Sequence, residues 1–62
     1  MRKWTSKEIR EFRKSKGLIQ KDFGELLGVT RTYVIYLETG RRKPSKVLKL
    51  LLDCLETKRK GV

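Results

Sequence analysis

Glycine punctuates this chain at Gly17, Gly28 and Gly40, each time close behind a short stretch whose apolar residues recur at helical spacing. A glycine in that place ends a helix, because it accepts the left-handed backbone that other residues resist. One long helix is therefore excluded. What remains is a set of short helices, none able to bury a face by itself, which must pack on one another. In 62 residues that means one small domain, since so short a chain buries only about 60% of the surface it exposes when unfolded.

The residues flanking each stop set the helix limits. Thr5-Ser6-Lys7-Glu8 fits a capping box, with Thr5 at the cap and Glu8 reaching back. Trp4 and Ile9 have the spacing of a hydrophobic staple, Ile9 and Phe12 form the apolar stripe, and Lys16-Gly17 closes a helix over about 6–16. Leu18 and Phe23 repeat the staple, and Phe23, Leu26 and Leu27 give a second helix over about 20–27. Its cap position falls on Ile19, which has no side-chain acceptor, so its start is left to water. Gly24 inside it costs roughly 1 kcal/mol relative to Ala, which close approach of another helix would explain.

Val29 and Val34 form a third staple around Thr30, and Val34 with Leu37 gives a helix over about 31–38, ended by Thr39-Gly40. Two short helices joined around Gly28 must cross steeply, which is the signature of a helix-turn-helix. Pro44-Ser45 opens a fourth helix over about 45–57. Its apolar residues Val47, Leu48, Leu50, Leu51, Leu52, Cys54 and Leu55 sweep roughly 200°, where packing on one core needs only about 100°. Either this helix sinks deeply between its neighbours, or it pairs with a second copy. Leu50, Leu52, Cys54 and Leu55 are the candidate dimer face.

Composition narrows the function. Lys and Arg number 17 against 7 Asp and Glu, for a net charge of +10, and hydrophobic residues make up 37%. That hydrophobic share supports a packed core rather than a disordered basic tail. With no His and one Cys, the chain lacks the usual acid–base residue near neutral pH, an internal disulfide and a zinc ligand set. No apolar run approaches the ~18 residues of a membrane span. These features point to a cytosolic, metal-free and cofactor-free module whose partners are polyanions.

At this level the chain resembles the Cro/lambda-repressor-type, or XRE, helix-turn-helix family over about Thr5 to Leu55. The resemblance rests on Arg13, Gly17-Leu18-Ile19-Gln20, Phe23-Gly24, Leu27-Gly28-Val29-Thr30, Val34, Leu37-Glu38-Thr39-Gly40 and Arg41-Arg42-Lys43-Pro44-Ser45. The leucine-rich fourth helix is similar to those of HigA-type antitoxins and small phage repressors. Family members commonly carry Ser or Thr where Ile19 stands, and Ala where Gly24 stands. The resemblance implies an all-α, four-helix domain in which the fifth helix of many relatives is missing or vestigial, a departure that puts the usual dimer arrangement in question.

It also implies the site. In this motif one helix spans the duplex backbone while the next enters the major groove, which is about 12 Å wide. Base-reading side chains must lie opposite Val34 and Leu37, on Arg31, Thr32, Ile35 and Tyr36, with Tyr33 at the margin. Arg31 suits a guanine edge or a phosphate. Thr32 suits a base or plain solvation. Ile35 suits a thymine methyl or a marginal core place, and Tyr36 a base, a phosphate or packing against the basic loop. Gln20, at a helix start, and Arg41, Arg42 and Lys43 are candidate phosphate ligands, with Tyr33 beside them. Arg2, Lys3 and Lys58-Arg59-Lys60 are weaker ones. By the resemblance, Arg13 and Glu38 form a structural ion pair.

The function these readings predict is sequence-specific binding of double-stranded DNA by a prokaryotic or phage-encoded transcriptional regulator. It would act as a repressor, a homodimer on a palindrome with half-sites one helical turn, ~34 Å, apart. A second expectation, of a different class, is an antitoxin whose fourth helix binds a toxin partner while DNA binding autoregulates its promoter. A sequence-blind RNA or membrane-surface binder would need an aromatic platform or a long basic amphipathic face, and neither is present. No paired nucleophile and base supports an enzyme.

Overall fold

The computed structural model describes residues 3–61, with side chains described for residues 3–56. It contains four helices, α1 (Ser6–Ser15), α2 (Gln20–Leu27), α3 (Arg31–Thr39) and α4 (Lys46–Gly61), and no strand among the described residues. Arg2 and Lys58-Arg59-Lys60, weak candidates for phosphate contact, lie outside the described side chains.

Local chemistry accounts for each boundary. Thr5 Oγ1 accepts the Glu8 N–H at 3.2 Å and Thr30 Oγ1 accepts the Tyr33 N–H at 3.1 Å, as caps of α1 and α3. Gly28 and Gly40 end α2 and α3 at φ 76° and 83°, left-handed values that relieve the last carbonyls without steric cost. Ile19 makes no side-chain cap to α2. α4 differs from expectation at both ends. Ser45 is its cap rather than its first residue, since Ser45 Oγ accepts the Leu48 N–H at 3.1 Å. Its far end runs beyond residue 57 to Gly61.

The core is a single cluster of Trp4, Ile9, Phe12, Phe23, Leu27, Val34, Leu37, Leu48 and Leu52. All three staple pairs contribute to it, Leu18 and Val29 from its edge. Aromatic edges meet faces along it, with Trp4 and Phe12 centroids 5.3 Å apart and Phe12 and Phe23 6.3 Å apart, an arrangement their ring quadrupoles favour. Trp4 Nε1 donates to Asp53 Oδ1 at 2.8 Å, tying the segment before α1 to α4. Leu52 is fully buried. It is a core residue and leaves the candidate dimer face, because α4 turns it toward the other helices.

Gly24 is small for a reason close to the expected one. What approaches it is the turn into α3 rather than a helix flank: a Cβ there would lie 2.8 Å from the Val29 carbonyl oxygen and 3.3 Å from the Thr30 carbonyl. Backbone so placed cannot swing aside. Gly24→Val is expected to lower stability in urea denaturation by about 3 kcal/mol through overpacking. Gly24→Ala should lose less, because its helix propensity gain of about 1 kcal/mol offsets part of the shift. An unchanged urea midpoint for the valine variant would contradict this account of the turn.

Candidate nucleic-acid interface

α3 packs against both α1 and α2, and its buried residues are Val34, Leu37 and Glu38. At about 100° per residue, Thr32, Tyr36 and Thr39 point most directly away from that buried side, with Ile35 next to them. Arg31 and Thr32 are exposed, and Ile35 and Tyr36 are half-buried. Ile35 is not among the partly buried apolar residues packed against the core. That removes the marginal-core reading and leaves an apolar side chain on the outward strip.

The strip runs into the basic loop. The Arg41 and Arg42 N–H groups both donate to the Tyr36 carbonyl, at 2.9 and 3.2 Å, which folds the loop back on the end of α3. The Arg41 guanidinium carbon then stands 5.8 Å from the Tyr36 ring centroid, within cation–π range. So Tyr36 packs under the loop while still facing outward. Arg41, Arg42 and Lys43 are all exposed. Tyr33 goes elsewhere: its ring packs against the core and lines a cleft with Leu48 and Leu51, apart from the outward strip.

One buried carboxylate holds this surface in place. Glu38 is only 8% exposed. Arg13 grips it through both arms of its fork, Nε to Oε2 at 2.6 Å and Nη2 to Oε1 at 3.1 Å. Gln20 Nε2 donates to the same Oε1 at 3.2 Å, and Arg13 Nη1 donates to the Leu18 carbonyl at 2.9 Å. Gln20, expected at a phosphate, is thus bound to Glu38 as well, with one amide hydrogen left over. That second role carried no sequence signal, since the residues are far apart in the chain and only the crossing of α2 and α3 joins them.

Thr39 was not singled out in the sequence, where it reads as part of a helix stop. It lies on the outward strip and is exposed, its hydroxyl donating to the Ile35 carbonyl at 2.9 Å. Helical period counted one turn further would have found it. Among the described residues no group of His, Cys, Asp and Glu could hold a metal ion. None of their helices is long and apolar enough to cross a membrane.

Comparison with known proteins places these features in context. The model of a helix-turn-helix family matches residues 9–59. A relative described as an uncharacterized HTH-type transcriptional regulator, from Methanothermobacter thermautotrophicus, is 52% identical over 40 residues. That stretch covers 64% of this chain and 58% of the relative, so this chain spans less than two thirds of that protein. No solved structure matches the chain.

The Glu38 cluster generates a stability test. Arg13→Met strands a buried carboxylate and is expected to cost about 3–5 kcal/mol in chemical denaturation. Arg13→Met combined with Glu38→Leu should recover most of that loss, because no unpaired charge remains. Equal losses in the single and double variants would show that the pair does not carry this energy.

Proposed function

Because the chain belongs to the Cro/lambda-repressor-type helix-turn-helix family, we propose that it is a transcriptional regulator that reads double-stranded DNA by sequence and acts as a repressor. Membership itself makes the chain a DNA-binding regulator by family. The base sequence it prefers, its dimeric state and its repression of transcription are the proposal. The observation that carries it is the outward strip of α3, with Ile35 unclaimed by the core and the exposed cations Arg41, Arg42 and Lys43 at its end.

The roles follow from chemistry. Thr32 and Arg31 supply hydrogen bonds to base edges, a bidentate Arg–guanine pair being worth about 1–3 kcal/mol of discrimination. Ile35 meets a thymine methyl, the one apolar group in the major groove. Tyr36 reaches a base edge or backbone beside the loop. Arg41, Arg42 and Lys43 neutralise phosphates. Gln20 presents an amide at the start of α2, where the N–H groups that Ile19 leaves without a side-chain cap suit a phosphate oxygen. Two copies on an inverted repeat double an interface that for one module is about 600–1,000 Å².

Selection from a random duplex library tests the reading. The unsubstituted protein is expected to enrich a short inverted repeat, and Arg31→Ala to lose preference at one position in each half-site. No enrichment would refute sequence reading, and an unchanged preference in the variant would remove Arg31 from it. On the selected duplex, replacing Arg42 with Ala should flatten the slope of log affinity against log salt by about 0.9, the contribution of one phosphate. An unaltered slope would take Arg42 off the backbone.

A further inference from the structure

α4 carries more apolar surface than the core takes up. Leu48 and Leu52 are buried, and Leu51 and Leu55 pack partly against the core. Val47 is 76% exposed, Leu50 is 49% exposed, and Cys54 is exposed too. These three stand at i, i+3 and i+7, the a–d–a spacing of a seam between two helices. The seam borders an open cleft of about 560 Å³, which Val47 and Leu51 line together with Leu27, Val29 and Tyr33.

The flanks of the seam identify its occupant. With Val47 and Leu50 as a and d, Lys46 and Asp53 are successive g positions and Leu51 is the e position between them. In a parallel pair g faces e, so each charge would meet a leucine. In an antiparallel pair g faces g. Lys46 of one copy then meets Asp53 of the other, and two-fold symmetry makes the contact twice. The seam itself is uncharged, so two chains of net charge +10 can join there without a like-charge contact at its centre.

We infer that Val47, Leu50 and Cys54 form the surface through which two copies of this chain pair, their α4 helices running antiparallel. This rests on the dimeric reading proposed above and names the face that serves it. Leu50 and Cys54 stay in that face, Val47 joins it, and Leu55 serves mainly the core.

Thiol chemistry distinguishes the arrangements. Antiparallel pairing sets Val47 level with Cys54 of the second copy. The two Cys54 residues then sit about 10 Å apart along the axis, at 1.5 Å per residue, too far for a disulfide. Under diamide the unsubstituted protein is expected to give no covalent dimer. Val47→Cys, at an exposed site, is expected to give one through the introduced thiol and Cys54. In sedimentation equilibrium, Leu50→Glu should raise the dimer dissociation constant about 30-fold or more, the size of an interface anchor. Ready cross-linking of the unsubstituted protein would overturn the antiparallel arrangement. A dimer in sedimentation that Val47→Cys does not lock would overturn the seam while leaving the dimeric reading intact. A monomer at every concentration, with and without the selected duplex, would remove both.

Discussion

The geometry of this domain depends on a buried carboxylate with a complete set of donors. Taking Glu38 out of water costs several kcal/mol, and only close, well-aligned partners offset that. Arg13 from α1 and Gln20 from α2 supply them. Three helices therefore meet at one charged point. Arg13 also holds the Leu18 carbonyl in the link between α1 and α2, so the same guanidinium sets where α2 begins. Leu37 beside Glu38 contributes burial, which is non-directional. The ion pair contributes direction. Together they fix the angle at which α3 leaves the scaffold, and hence which of its side chains face outward.

The turn between α2 and α3 supplies the second constraint. Gly28 takes a left-handed backbone and Gly24 leaves room for the Val29 carbonyl. One glycine bends the chain and the other lets the bent chain sit close. Uncapped by any side chain, α2 still begins at Gln20, held by the Phe23 N–H to Ile19 carbonyl bond and by burial of Phe23. A weak local cap thus survives because tertiary packing dominates helix stability in short elements. It also leaves the first N–H groups of α2 available to an anion.

Much of this was legible in the sequence because the signals are local. Capping residues, staples and glycine stops located four helices, three of them to within a residue or so. The pairing of Arg13 with Glu38, which rested on family resemblance alone, is present in the structure. Three things were not legible, and each needs the third dimension. Leu52 belongs to a broad apolar arc on α4, and nothing in a helical wheel says which third of that arc faces inward. Tyr33 and Tyr36 differ by one turn, yet one packs toward α4 and the other under Arg41. Gln20 reads as a surface amide until α3 brings Glu38 beside it.

The central claim is that α3 presents its outward strip, and the loop after it, to a DNA duplex. Amide chemical-shift mapping by NMR, on titration with the library-selected duplex, tests it most directly. The account predicts that the largest shifts fall on residues 31–36 and 41–43 and at the start of α2, with the exposed face of α4 little changed. Shifts centred on the solvent-facing side of α1, with α3 undisturbed, would contradict it.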